Sequence, residues 1–405
     1  METASHLTIP QLSYQVLYRS VLKWLLGLNP RGLLVPLWLV AAYLAGLLWI
    51  GGAATCVAMA AAATVSHDAL NRLLIGGPLG ALVRMIALTM VNRGVGYLVL
   101  DDVTLDKTGE KMEGIAWLYS SSLGKKVLAL NPVVMGWTDG QMYVPLAFQF
   151  WKPPRTRVNG KPSADAFDGT PFRTKLEIAV DLLTWARQRG FTPTAVLFDA
   201  YYLAKPVIRF LRKAGWHWVS RIKANRNLKR NGKTFKPQDW PRLAKPSKVR
   251  RKTRAPRLER SVVAELPGWG AVRVIAVRHK HDKEARYLVG SNPAWGRGRI
   301  EALYGHRWAI EVGFRDTSQL LGLHDCQCRR FRAQENHVAL VFVAYLFLKR
   351  QSRPGETAGT SMNRLKAHAV VLAAIPRPSK VRPVKKERRR RRRDGGVGRI
   401  SSSPA

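Results

Sequence analysis

The sequence predicts an α/β protein: a mixed sheet broken by a β-rich insertion and preceded by an all-α region. Three observations lead there. Residues 1–92 are apolar with helical spacing, and residues 32–65 contain no charged side chain. Between residues 93 and 225, apolar runs of strand length and of helix length follow in the order βββαβαβ. After residue 226 the pattern turns basic and then β-alternating, and helical spacing returns from about residue 298. The chain has 405 residues, enough for two or three domains, and its 46% hydrophobic content can supply a sizeable core.

In the first region, the uncharged stretch is long enough for a bilayer span, which takes about 20 apolar residues. Pro36, Gly46, Gly51 and Gly52 cut it, however, and residues 58–63 are only weakly hydrophobic. Short helices packed on one another, without a membrane, are expected instead. Residues 56–74, CVAMAAAATVSHDALNRLL, read as helix, turn, helix. Ser66 is placed to cap the second helix, Asp68 falls in its first turn, and Asn71 and Arg72 follow. Such a pair is either a helix-turn-helix aimed at a DNA groove or an ordinary helical hairpin.

The sheet begins with YLVLDD at 97–102, apolar on both faces as a central strand should be, and ending in two carboxylates. Runs at 125–137 and 142–151, joined through Thr138, Asp139 and Gly140, complete a meander. A helical stretch at 173–189 stops at Gly190. TAVLFDAYY at 194–202 is a second buried strand, again ending in a carboxylate, Asp199. A helix over 204–214 ends at Gly215, and HWVSRIKA makes a fifth strand. This order is that of an RNase H-like fold, in which the ends of the first and fourth strands lie side by side. Residues 226–297 form the insertion: a basic, proline-containing half, then the strand-like SVVAEL, AVRVIAVRH and ARYLVGSN. A single helix is expected over 300–323 and another over 336–349. From about residue 351 the chain turns polar, and residues 388–393 are all arginine. Like charges at that density repel and stay solvated, so 351–405 reads as a disordered tail able to lie on phosphates.

The 300–323 helix places Tyr304, Arg307 and Glu311 in a narrow arc. Glu311 can simply pair with Arg307 or Arg315. A carboxylate on a mostly buried helix can also be satisfied by a metal ion. Asp101 or Asp102, together with Asp199 and Glu311, would repel one another if they converged, unless a divalent cation bound. Oxygen-only ligation selects Mg²⁺ or Mn²⁺. Two such ions about 4 Å apart promote in-line phosphoryl displacement without a His or Cys nucleophile. His67, His217 and His306 show no ligand spacing; His306 suits a surface or DNA contact, and His337 a structural one. The formal charge of +41 calls for a polyanionic partner, nucleic acid before membrane. Three cysteines cannot frame a disulfide scaffold and fit a reducing compartment. Cys326-x-Cys328 lacks a second pair at zinc spacing and is read as structural.

LVLDDVTLDKTGEKMEG, AVLFDAYYL, and YGHRWAIEVGFRD followed by QLLGL occur in that order. The chain thereby resembles bacterial insertion-sequence transposases of the DDE type, in the group with a Tyr-x2-Arg-x3-Glu-x6-Lys signature. The likeness covers roughly residues 60–350. It implies metal-dependent cleavage at transposon ends and joining to target DNA, by a protein of the bacterial cytoplasm and nucleoid that dimerises on DNA. It makes Asp101, Asp199 and Glu311 the catalytic metal ligands, with Asp102 competing for the first place. Tyr304 and Arg307 would touch DNA phosphates. The signature lysine falls on Ser318, a departure that Arg315 or Arg329 would have to make good. The alternative is a decaying relative that binds DNA without cutting it.

Overall fold

The computed structural model describes residues 8–52, 55–63, 65–120, 123–239, 258–278 and 285–374. The N-terminal region is a packed set of helices: α1 (Ile9–Leu28), α2 (Leu37–Ile50), α3 (Cys56–Ala62), α4 (His67–Ile75) and α5 (Gly80–Leu88). A capping box starts α1, where the Thr8 amide donates to Gln11 Oε1 at 2.9 Å. Ser66 caps α4 as expected, its Oγ accepting from the Ala69 amide at 3.2 Å. Helix α2 is apolar on every side and buried over most of its length, as a central helix must be. Among the described residues no single helix is long and apolar enough to cross a membrane.

The core sheet starts with β1 (Tyr97–Asp102), β2 (Leu105–Asp106), β3 (Ala116–Ser120), β4 (Lys125–Thr138) and β5 (Tyr143–Trp151). A small hairpin, β6 (Arg157–Val158) and β7 (Lys161–Pro162), precedes α6 (Lys175–Gln188), β8 (Ala195–Phe198), α7 (Lys205–Ala214) and β9 (Trp218–Arg221). The central order is β5-β4-β1-β8-β9. β1 runs parallel to β8, and β8 to β9, while β4 is antiparallel to both β1 and β5. This is the mixed, RNase H-like sheet expected. Strand β4 is long enough that its second half pairs with β1 and its first half with β2 and β3.

The insertion supplies β10 (Leu228–Arg230), β11 (Lys233–Phe235), β12 (Leu258–Leu266), β13 (Gly270–Arg278) and β14 (Arg286–Gly290). These strands join the core sheet, because β14 pairs antiparallel with β9. Residues 240–257, where much of the basic character of the insertion was expected, lie outside the described residues.

Two expectations need correction. The single helix over 300–323 is two: α8 (Arg297–Gly305) and α9 (Trp308–Leu321), with a turn at His306 and Arg307 between them. Gly305 weakens the helix there, and tertiary contacts take over: the His306 ring stacks on Tyr97 at 4.4 Å, while Arg307 pairs with β1. The tail is also not without structure over its first part. After α10 (Phe331–Gln351) the chain forms α11 (Ala358–Ala374), which packs against α1 and buries Met362 and Ala369. The Thr357 hydroxyl accepts from the Thr360 amide at 3.1 Å, and Glu356 pairs with Arg364 at 2.9 Å. These short polar signals were masked by the basic composition around them. The arginine run at 388–393 lies outside the described residues.

Helix α10 ties the two halves together. The Asn336 amide group donates to the Leu74 and Gly77 carbonyls at 2.8 and 3.1 Å, and its oxygen accepts from the Leu79 amide at 2.9 Å. His337 is wholly buried; Nδ1 meets the Tyr43 hydroxyl and Nε2 the Gly322 carbonyl, both at 2.8 Å. Burial holds this imidazole down near 4, so it is neutral. It is structural, as the sequence suggested.

Candidate active site

The register of the central strands builds the site. Leu100 lies beside Phe198 in the parallel pair, so the next residues, Asp101 and Asp199, follow side by side where β8 ends. Both line a cavity of about 750 Å³ together with Asp102, Tyr304, Arg307 and Glu311. Burial pushes the Asp101 carboxyl up to about 7, and the neighbouring Asp199 adds to that rise. Burial likewise raises Asp199, against the pull of two backbone amides. Those amides, of Tyr201 and Tyr202, donate to Asp199 Oδ1 at 2.9 and 3.4 Å.

The adjacent pair of aspartates divides by partner. Asp102 Oδ1 accepts from the Tyr202 hydroxyl at 2.9 Å. Its Oδ2 accepts from Asn131 Nδ2 and Lys175 Nζ, both at 2.9 Å. Lys175 stands in the first turn of α6, whose capping box of Thr174 and Glu177 fixes that end of the helix. Asp101 instead accepts from its neighbour's amide at 2.9 Å on Oδ1 and from Arg307 Nη1 at 2.9 Å on Oδ2. Asp102 thus links β4, α6 and the segment after β8, while Asp101 has one side-chain partner, Arg307.

Glu311 comes in on the first turn of α9. Its position depends on close packing of that helix on the sheet. A Cβ at Gly313 would meet the Tyr143 ring of β5 at 2.3 Å, so no larger residue fits without moving the helix. Arg307, just before α9, reaches both carboxylates: Nη1 to Asp101 and Nη2 to Glu311. Burial would lower this guanidinium, but the Tyr304 ring, Asp101 and Glu311 around it raise it, so it stays charged. The Arg307 Cζ lies 5.3 Å from the Tyr304 ring centre. Arg307 Nε and the Tyr304 hydroxyl are both buried with no hydrogen-bond partner among the described residues. Burial pushes that hydroxyl up to about 12, so it remains a donor.

The donor set around the cavity is oxygen from Asp101, Asp199 and Glu311, which suits a hard divalent cation. Among the described residues no group of His, Cys, Asp or Glu is drawn tight enough to enclose a cation by itself. The Arg307 guanidinium accounts for this, because it fills the cationic role between Asp101 and Glu311. The residues fit a metal provided that Arg307 gives way. The simple pairing of Glu311 with Arg307 is present, and Asp101, Asp199 and Glu311 line one cavity.

The remaining candidates scatter. Ser318 is half-buried two turns beyond Glu311 on α9, and Arg315 is exposed; neither lines the carboxylate cavity. Arg329 is exposed and lines a separate cavity beside Lys107 and His324. Arg72 is exposed on α4, whereas Asn71 turns inward to accept from Cys328 Sγ at 3.5 Å. Sequence reasoning missed Tyr202, Asn131 and Lys175, since nothing in their local patterns marks them as partners of Asp102. It also missed Arg221, at the end of β9, which lines the carboxylate cavity and the adjoining one near Trp308.

Residues 38–283 match the family described as DDE superfamily endonuclease. That span contains Asp101, Asp102 and Asp199 and ends before Glu311. The chain is also similar to a probable transposase for insertion sequence element IS701 from Microchaete diplosiphon, with 25% identity over 236 residues. The alignment takes in 56% of this chain and 58% of that protein, so the chain spans little more than half of its relative's length. Endonucleases of the matched family generally work with divalent metal ions. With more than half its length under that match and two strand-end aspartates brought together, the chain belongs to the DDE superfamily endonucleases.

Proposed function

We propose that the chain is a DNA transposase that cleaves the ends of an insertion sequence and joins them to target DNA. The observation that carries this reading is the β1–β8 register, which sets Asp101 beside Asp199 while Arg307 links Asp101 to Glu311. Asp101, Asp199 and Glu311 would hold a pair of Mg²⁺ or Mn²⁺ ions, with Asp102 fixing the strand end on which Asp101 stands. Bound there, the ions would activate a water or 3′-hydroxyl and stabilise the leaving oxygen. The chain's own cations do the rest. Without DNA, Arg307 neutralises two of the carboxylates. A DNA phosphate offered to this guanidinium, with its unpartnered Nε, is a bidentate alternative that leaves Asp101 and Glu311 to the metal. The buried Tyr304 hydroxyl is a second donor for the same phosphate. Arg315, Arg329 and Arg72 are exposed and suit further backbone contacts, with α3 and α4 as the helix-turn-helix. The charge of +41 supports DNA as the partner, engaged by a homodimer.

A second reading, a relative that binds DNA without cutting it, is favoured by Ser318 alone, which is too short to reach a phosphate that lysine would touch. Nicking of DNA that carries the element's ends, in the presence of Mg²⁺, separates the two. The wild-type chain should nick. Asp199→Asn and Glu311→Gln should each lose at least about a hundredfold in rate while still binding the DNA. A wild-type protein that binds end DNA and never nicks it would favour the second reading; a mutant that still cuts would remove its residue from the set.

A further inference from the structure

The three cysteines of this chain take no part in the site above, yet they share one place in the fold. Cys56 opens α3, and Cys326 and Cys328 lie in the segment between α9 and α10. All three line a single cavity of about 480 Å³ between the N-terminal helices and that segment. None is in a disulfide. Cys326 is buried and Cys328 half-buried, so the second thiol is the one that solvent can reach. Cys326 and Cys328 are two residues apart and face this same cavity. Cys326 also points its thiol at the Ala333 carbonyl, 3.9 Å away, and Cys328 donates to Asn71 Oδ1 at 3.5 Å. Lys107 stands beside them, its ammonium donating to the His324 and Cys326 carbonyls at 2.6 and 3.0 Å.

This is the setting of a reactive thiol with a partner in waiting. The adjacent Cys326 thiol lowers the Cys328 thiol to about 7 against the effect of burial, and Lys107 adds to the depression. The other two go the opposite way. Burial pushes Cys56 up to about 12, and the neighbouring Cys328 together with burial raises Cys326 well above the ordinary thiol range. Of the adjacent pair, Cys328 is the thiol whose thiolate is favoured and the one more open to solvent.

We propose that Cys328 and Cys326 form a thiol–disulfide exchange site, with Cys328 as the attacking thiol, Cys326 as the resolving one, and a low-molecular-weight disulfide as the oxidant. The Cys328 thiolate attacks one sulfur of the small disulfide. That S–S bond breaks, and the departing thiolate carries off the electron pair and takes up a proton. Cys326 then loses its proton to solvent and attacks Cys328 Sγ, expelling the second small thiolate, which is protonated in turn. Two protein thiols are oxidised to one disulfide, and one small disulfide is reduced to two thiols. The structural result is local. Cys328 no longer donates to Asn71, so the contact between the 322–330 segment and α4 is broken. If α4 faces DNA, as proposed above, that break changes DNA binding; the exchange chemistry itself does not depend on that reading.

The test is peptide mapping of the full chain after exposure to oxidised glutathione near neutral pH. The expected product is one peptide in which Cys326 and Cys328 are joined, with Cys56 still open to alkylation after unfolding. Cys326→Ser should stop at a glutathione adduct on Cys328, and Cys328→Ser should leave Cys326 unmodified. Before unfolding, iodoacetamide should label Cys328 at least about tenfold faster than Cys56. A stable glutathione adduct on the wild-type chain, a disulfide to Cys56, or first reaction at Cys326 or Cys56 would each overturn the proposal. The wild-type mapping is decisive even if a serine variant fails to fold. End-DNA binding by the oxidised chain is a separate measurement: an unchanged affinity counts against the role of α4 and leaves the exchange site standing.

Discussion

Two kinds of scaffold deliver carboxylates to one cavity, and they do it with different security. Asp101 and Asp199 are carried by strand ends, locked by a hydrogen-bonded register in the middle of a sheet whose residues at 98–100 and 195–198 are all buried. Glu311 arrives on a helix that has broken from its predecessor two residues beyond Gly305 and is held by side-chain packing on Tyr143 and by Arg307. Backbone ladders set position to a fraction of an ångström without regard to side-chain identity. A packed helix is only as well placed as the residues under it. The strand half of the site should therefore tolerate changes nearby and fail only at the carboxylates, while the helix half should be sensitive to its supports.

The largest expected effect probes the strand half. Asp101→Asn should abolish Mg²⁺-dependent nicking, at least about a hundredfold down. Asp102→Asn keeps the shape of the hydrogen-bonded group but loses the Lys175 ion pair, and should retain more activity than Asp101→Asn. The reverse ranking would shift the site by one residue.

Next comes a support of the helix half. His337 joins Tyr43 of α2 to the carbonyl of Gly322 at the end of α9. Its folded value lies near 4, below the ordinary 6.5, so the stability that it contributes is present above 6.5 and lost as pH falls toward 4. That window amounts to about 3 kcal/mol. Thermal unfolding followed across it should show His337→Gln to be less stable at neutral pH but less sensitive to acid than the wild type. Parallel curves would show that the imidazole is not the group being titrated.

Gly313→Ala sharpens the comparison at a single methyl group. Overpacking against Tyr143 should cost about 1–3 kcal/mol and displace Glu311, lowering nicking more than it lowers end-DNA binding. If activity survives in full at a temperature where the variant is folded, the helix is less tightly positioned than the packing implies. The smallest effect is expected at Ser318, half-buried on α9 beyond Glu311. Ser318→Lys should tighten end-DNA binding by a few-fold through one charge-assisted contact, about twice as strong as a neutral one. Weaker binding by this variant would indicate that an arginine already occupies the phosphate.

What could be read from the sequence follows the same division. YLVLDD and TAVLFDAYY announce buried parallel strands, and strand order is enough to bring their ends together. The side of Asp102 that faces the protein was not legible, because Tyr202, Asn131 and Lys175 reach it from three different elements. The break at His306 and Arg307 was also hidden. Helical spacing runs unbroken through 300–323, and the competing contacts, Tyr97 under His306 and Asp101 against Arg307, lie some two hundred residues upstream. Helix α11 was lost for a related reason: its weakly amphipathic, alanine-rich stretch finds its main partner in α1, at the other end of the described chain.

The pairing of β14 with β9 also bears on how the chain is connected. Arg221 lies opposite Leu288, and the Ile222 amide donates to the Tyr287 carbonyl at 3.0 Å. The two strands are the arms of one hairpin, and residues 223–285 are an excursion from its turn. An excursion that leaves and returns at adjacent points can change in length at little entropic cost, about 0.6 kcal/mol per doubling. Shortening or replacing it would leave the register of β8, and with it Asp199, untouched. Arg221 and Arg286, one on each arm at the base of the excursion, line the cavity of the carboxylates. Whatever the excursion carries is thus hinged at the rim of the site rather than built into its floor.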